Sequence, residues 1–320
     1  MPPVAGVVQF QVNPPPRPVG PHKRLQFTAA QWAVLVPLAP GPLPVCLRPD
    51  PKPGATAAEV DAAADELRSV GVLVAGPGRS AVPGVVQSLT LLASAPIAVH
   101  LVISSRAVAR ESWWAMDLTR TVAAFKGADG GVDLIVAATR DAAALMAASV
   151  PRVDELDPSA ASRASSISAA LGSQPATAVR QRLTVPLELL TPPDPLGLAE
   201  AGEHSQHDRA AAAALVRGAR GTLTARVHGL SWAGGSPRPV VGERSWWATG
   251  AGWWALSAAP GSGRVEKAQV RRVRLTPVEA NALGASLAPM LTTAFRSLAA
   301  ASEHGASATR PDLGDPRRRA

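Results

Sequence analysis

The sequence predicts an α+β fold made of two similar halves, and three observations carry that reading. Segments with apolar residues three and four apart give way to short runs that alternate apolar and polar, the two periods of helix and strand. The gaps between those runs are too short for crossover helices, so neighbouring strands are antiparallel. The order helices, about four strands, closing helix then occurs twice, which reads as an internal duplication; in each half the second strand holds an adjacent tryptophan pair, ESWWAM at 111–116 and ERSWWAT at 243–249.

Residues 1–25 are rich in proline and read as an extended, disordered leader. The first half spans 26–151. Thr28 with Gln31 three positions on is a capping-box pattern, so a helix starts there and stops before Pro37. A second helix runs from Thr56 to Val70 with Val60, Ala64 and Leu67 on one face, and Gly71 stops it. A third carries Val85, Leu89 and Leu92 on one stripe and ends at Pro96. Four strands follow at 97–104, 112–118, 121–127 and 132–139, with GADGG as a hairpin turn. Thr139 is expected to cap a helix that ends at Pro151.

Residues 152–182, rich in Ser and Ala, read as a linker. The second half, 183–301, offers an Ala-rich helix from Asp208 and strands at 222–232, 244–250, 253–259 and 265–276. Thr276, Pro277 and Glu279 supply an N-cap, a first-turn proline and a third-position glutamate, which together predict a helix start. That helix carries Leu283, Leu287, Leu291, Ala294 and Leu298, with a kink expected at Pro289. Residues 302–320 read as a disordered basic tail.

Composition narrows the function classes. The chain has 320 residues and one cysteine, Cys46, so an intrachain disulfide is excluded and a reducing, cytoplasmic setting fits. Cys46, between Val45 and Leu47, reads as a small buried hydrophobe. The N-terminus lacks a basic region followed by an apolar core, and the most apolar window, AVLVPLAPGPLPVCL, is broken by four prolines, far from the ~20 apolar residues a membrane helix needs. Net charge is +8, but it is uneven: residues 1–25 carry +3, and RVEKAQVRRVR at 264–274 carries five bases against one acid. The rest of the body is close to neutral, so the basicity is concentrated in one segment and the tails, not spread over a broad face as in nucleic-acid binders.

No catalytic signature accompanies this. There is no phosphate-binding loop, no strand-linked GxGxxG and no GxSxG, and the chain reads as a non-enzyme without cofactor or metal. His204 and His207 are three apart in a polar stretch with no evident third ligand, and His100 inside a strand pattern reads as a satisfied histidine.

Six of the eight tryptophans fall in the pairs 113–114, 246–247 and 253–254. Alternation puts Trp114, Met116 and Leu118 on one face of a strand, meeting helices, and Trp113, Ala115 and Asp117 on the other. Two readings stand: both members of each pair are buried between layers, or one member of each forms an apolar platform for a partner. Stacking of unpaired bases on such a row gives the alternative of a basic nucleic-acid-binding protein.

The order of motifs resembles the EspG family, the cytosolic chaperones of ESX (type VII) secretion in actinobacteria. FTAAQWAVL and LPVCLRP, AAADELRSVGVLVAG, LTLLASAPIAVHLVI, VDLIVAATRDAAALMAASVP and RLTPVEANALGASLAPML occupy the places of that family's successive motifs, across roughly 26–151 and 222–292. The resemblance implies a pseudo-twofold fold with a central antiparallel sheet flanked by helical bundles. It also implies a partner, a helical-hairpin secretion substrate, PPE-like or WXG-like, whose apolar tip is masked until export because exposed apolar patches drive association. On this reading the partner meets the sheet's free face, the closing helix and the loop 104–111. The candidate contacts are Arg106, Arg110, Trp113, Trp247, Trp254, Leu283 and Leu287, with neither nucleic acid nor membrane as partner.

Overall fold

The described strands all join in one sheet. The computed structural model describes residues 22–49, 56–76, 78–156, 183–186, 206, 213, 215–216, 218–233, 236–249, 252–258, 272–278 and 282–308. The first half contributes β1 (Lys23–Phe27), α1 (Ala29–Leu35), α2 (Ala57–Ser69), α3 (Pro83–Ser94), β2 (Ile97–Ser105), β3 (Ala109–Met116), β4 (Arg120–Lys126), β5 (Val132–Ala138), α4 (Ala142–Ser149) and α5 (Val153–Leu156). The second contributes β6 (Leu183–Pro186), β7 (Ala219–Ala233), β8 (Ser236–Thr249), β9 (Gly252–Ala258), β10 (Arg272–Val278) and α6 (Leu283–Ala308). The described strands form a ten-stranded sheet in the order β1-β5-β4-β3-β2-β7-β8-β9-β10-β6. Read outward from the centre, β2-β3-β4-β5-β1 is matched by β7-β8-β9-β10-β6. The fold is mixed α+β, and each half places its short first strand at an outer edge.

The halves meet where β2 pairs with β7, from Ile97 opposite Gly229 to Ser105 opposite Gly221. At Gly221 a Cβ would come within 2.9 Å of the Ser104 carbonyl oxygen, so the seam needs glycine there. One face of the sheet is covered by α4 and α6 over a core that both halves share: Ile97, Val99, Leu101, Trp114 and Met116 with Leu223, Val227, Trp246, Trp253, Leu287 and Leu291. Gly284 lets α6 approach α4, since a Cβ there would lie 2.8 Å from the Ala143 carbonyl oxygen.

The opposite face has two separate covers. Over the first half, α1–α3 bury Trp32, Leu35, Leu67 and Leu89 against Ala115, Val122, Ala124 and Leu134. Over the second, Leu215 packs with Trp254 and Leu275, flanked by Val216, Trp247 and Val273. Local signals hold the first-half helices. Thr28 and Thr56 form capping boxes with Gln31 and Glu59. Gly71 takes a left-handed conformation, φ 72°, at the end of α2, a position that favours glycine.

Several expectations fail for physical reasons. Lys23–Phe27, whose first residues fall in the expected leader, form β1 on β5, tied by an ion pair from Arg24 to Asp133. Thr139 does not cap α4: it is buried, and its hydroxyl donates to the Asp117 carbonyl at 2.9 Å, fastening the end of β5 to the β3–β4 turn. Thr276, Pro277 and Val278 start no helix; they continue β10, opposite Ala255, Trp254 and Trp253. Burial of Val278 in the shared core outweighs the local capping pattern, and α6 begins at Leu283 and runs to Ala308, into the expected tail. Leu118 lies beyond the end of β3 and is 48% exposed, so it does not meet the helices as alternation suggested. The expected linker at 152–182 falls mostly outside the described residues, as do the Ala-rich helix expected from Asp208, residues 1–21, 264–271 and 309–320 and both His204 and His207.

Trp114 and Trp246 are both fully buried in the shared core, but they differ in one respect: the Trp114 indole N–H donates to Ser112 Oγ at 3.0 Å, whereas that of Trp246 has no partner among the described residues. Either Trp→Ala substitution should cost ~3–5 kcal/mol in urea unfolding. Trp246→Phe should cost less than Trp114→Phe, because no hydrogen bond is lost at 246. Equal costs, or the reverse order, would show that the hydrogen bond of Trp114 is without consequence.

Candidate partner-binding face

Between the two covers, the middle of the sheet carries a strip that no described helix overlies. Alternation along β2 sends Ile97, Val99, Leu101 and Ile103 into the shared core and leaves His100 and Val102 on the other side. Along β7 it sends Leu223, Ala225 and Val227 inward and leaves Thr224, Arg226 and His228 outward. Register then lines up four side chains across four strands: Trp113 opposite His100, His100 opposite Arg226, Arg226 opposite Glu243.

The strip is polar but its charges are paired. His100 Nε2 lies 2.7 Å from Glu111 Oε1, and Arg226 Nε donates to Glu243 Oε2 at 2.7 Å. Trp113 is half-buried at one side. Its ring stacks on His228 at 5.6 Å and tilts against His100 at 5.8 Å, and its indole N–H is buried without a partner among the described residues. Beside it opens a mostly apolar cavity of about 320 Å³ walled by Pro42–Val45, Leu92, Ala93, Ala95, Ala98 and Arg48. A second, of about 190 Å³, lies over His100, Val102, Thr224, Arg226 and Glu243. Val45, at the rim of the first, is 77% exposed.

Two titrating groups here depart from their ordinary behaviour. Burial, followed by the charges of His100 and Arg226, holds His228 below its ordinary 6.5. Burial and then the Glu111 carboxylate push the Cys46 thiol up to about 11, so it stays protonated at neutral pH.

The candidate contacts do not gather at one place. Trp113 is on the strip. Trp247 is half-buried on the same face of the sheet, but under the second-half cover. Its cross-strand neighbour Trp254 is 7% exposed, with its N–H donated to Thr249 Oγ1 at 3.0 Å. Leu283 and Leu287 are 2% and 1% exposed in the shared core. Trp254 is thus a packed residue of β9, and Leu283 and Leu287 are packed residues of α6: core positions where exposed contacts were expected. Arg110 sits opposite Ile103 and so projects from the face away from Trp113. Arg106 is exposed in a tight turn closed by Ser105, whose Oγ accepts from the N–H groups of Ala107 and Val108.

Reading the sequence for motifs took Cys46, half-buried here, for a small buried hydrophobe and passed over Glu111, Arg226, His228 and Glu243. A signal was present: in IAVHLVIS and LTARVHG the polar residues fall at alternate positions between apolar ones, the mark of strands with one buried and one open face.

No protein-family model matches the chain. No curated protein matches it either. Among solved structures it is similar to the Mycobacterium tuberculosis type VII secretion system chaperone EspG5 in complex with the PE25–PPE41 dimer, with 13% sequence identity over 86% of this chain and 95% of that one and a TM-score of 0.47. A likeness of this kind concerns architecture, not activity.

The depressed His228 makes a pH prediction. A histidine whose folded value lies below its unfolded one binds fewer protons when folded, so stability is lost as pH falls through and below 6.5. Melting temperature measured from neutral to mildly acidic pH should fall for the wild type and fall less for His228→Gln. Parallel curves would show that His228 is not the linked group.

Proposed function

We propose that the chain is a non-enzymatic cytoplasmic chaperone or adaptor of EspG type, which binds the apolar tip of a helical-hairpin type VII secretion substrate, PPE-like or WXG-like, and keeps it soluble for export. On this proposal the repeated halves, about 26–151 and 183–301, form one binding body. The observation that supports it best is the uncovered strip with its half-buried tryptophan and adjoining apolar cavity. Four strands span about 14 Å at ordinary strand spacing. An α-helix with its side chains is about 10–12 Å across, so the strip has room for one helix end. Trp113 offers apolar area beside that cavity, the kind of anchor that carries binding energy. The motif order described above adds the type of substrate.

The nucleic-acid reading is weaker on the same ground. Among the described residues the strip's bases are matched by Glu111 and Glu243, which does not make a continuous positive groove.

Binding of purified helical-hairpin secretion proteins from the same organism, followed by calorimetry, tests the proposal. Trp113→Ala should weaken binding by ~2 kcal/mol or more, with a melt showing the variant folded. Arg106→Glu should act mainly on association rate. Affinity should change little with salt, whereas a nucleic-acid complex with several phosphate contacts would lose ~10³ or more between low and moderate salt. An unchanged affinity in folded Trp113→Ala would remove the strip as the docking surface.

A further inference from the structure

Three donor atoms meet beside the strip from three separate segments. Cys46 lies in the 3-10 turn Val45–Leu47, His100 on β2 and Glu111 on β3. Their thiol, imidazole and carboxylate each offer one donor, and the donors lie within 4.8 Å of one another. We propose that Cys46, His100 and Glu111 form a binding site for a zinc-like divalent transition metal, with three protein ligands and a fourth position left for water or a ligand. This goes beyond the partner-binding reading and does not depend on it.

The donor set selects the kind of ion. A thiolate with an imidazole and one carboxylate suits zinc, cobalt or a similar borderline metal, while magnesium and calcium require oxygen ligands. Distances are compatible. Bonds of about 2.0–2.3 Å to a tetrahedral ion leave ligand atoms roughly 3.3–3.6 Å apart. A spread of up to 4.8 Å closes to that by side-chain rotation, and the 2.7 Å His100–Glu111 contact opens slightly as each group exchanges its partner for the ion.

The ligands stand on fixed elements, which keeps the ordering cost of binding low. His100 and Glu111 share one face of a paired β2–β3 ladder, Glu111 sitting opposite Val102, two residues from His100. The turn that carries Cys46 is fastened on several sides. Leu47 is 1% exposed, its carbonyl accepts the Trp32 indole N–H at 2.7 Å, and Lys126 Nζ donates to the Arg48 carbonyl at 2.8 Å. His100 also lines the 190 Å³ cavity, so the cluster is not sealed off.

The binding step balances simply. The neutral Cys46 thiol loses its proton to solvent as the sulfur–metal bond forms, and the dication replaces the burial and carboxylate charge that hold the thiol protonated. His100 binds through a neutral ring nitrogen and Glu111 through one carboxylate oxygen.

Titration of the full chain, free of any purification tag, with Co²⁺ and then Zn²⁺ tests this. One ion per chain should bind, Co²⁺ should show thiolate charge-transfer absorption with the intense visible bands of a tetrahedral site, and Zn²⁺ should displace it. Cys46→Ser should abolish the charge-transfer band. His100→Ala and Glu111→Gln should each weaken binding by roughly tenfold or more, while metal-free melts of all three stay close to wild type. His204→Ala/His207→Ala should bind as the wild type does. No saturable binding, a band that survives Cys46→Ser, or loss of binding in the His204/His207 variant would overturn the proposal.

Discussion

The antiparallel seam between β2 and β7 is the constraint from which the rest of the architecture follows. Both strands lie at the centre of the sheet, so each must bury one face in a core that neither half can fill alone. Ile97, Val99 and Leu101 from one half and Leu223, Ala225 and Val227 from the other fix which residues face that core, and a one-residue slip would send His100 and Arg226 into it. Gly221 keeps the seam close at one end, and α6, packed across both halves and against α4, closes the core from outside.

The same alternation explains the tryptophan pairs, and it shows that they are not equivalent. In 113–114 the second member enters the shared core; in 246–247 the first one does. Matching the two sequences by their WW letters therefore sets a core residue of one half against an outward residue of the other. The sequence repeat and the structural repeat are out of step by one position. A tryptophan pair is suited to such a place: two large rings cover both sides of a strand whichever way the register falls. Trp114 and Trp113 do so in β3, Trp246 and Trp247 in β8, Trp253 and Trp254 in β9.

How much was legible in the sequence depends on how local the deciding physics is. The capping box at Thr28, the helix start at Thr56, the stop at Gly71 and the strands β2 to β5 could be read directly because the pattern of each lies within a few residues. Thr276-Pro277-Val278-Glu279 misled because it is a good local helix start that loses to strand pairing with β9, a partner some twenty residues away. β1 and β6 were missed because edge strands of four or five residues carry too little alternation to stand out. The candidate contacts suffered the same way. Nothing near Leu283 or Leu287 reveals that a sheet lies over them, nor near Trp254 that Leu215 packs on it, and the opposite orientation of Arg110 and Trp113 appears only once both are placed on one strand.

The strip itself was hidden for a different reason, which also says what it can do. Its residues are unremarkable singly, because each polar group has a neighbour that satisfies it: Glu111 beside His100, Glu243 opposite Arg226. Such pairing lets a sheet face remain wet and open without a strong field, so the high pI of the chain says nothing about it. With Arg226 neutralised by Glu243, what the strip offers is the partly exposed ring of Trp113 and the mostly apolar cavity at its side. Such a surface is poorly matched to a polyanion. On the chaperone proposal it suits the apolar side chains of a helix end.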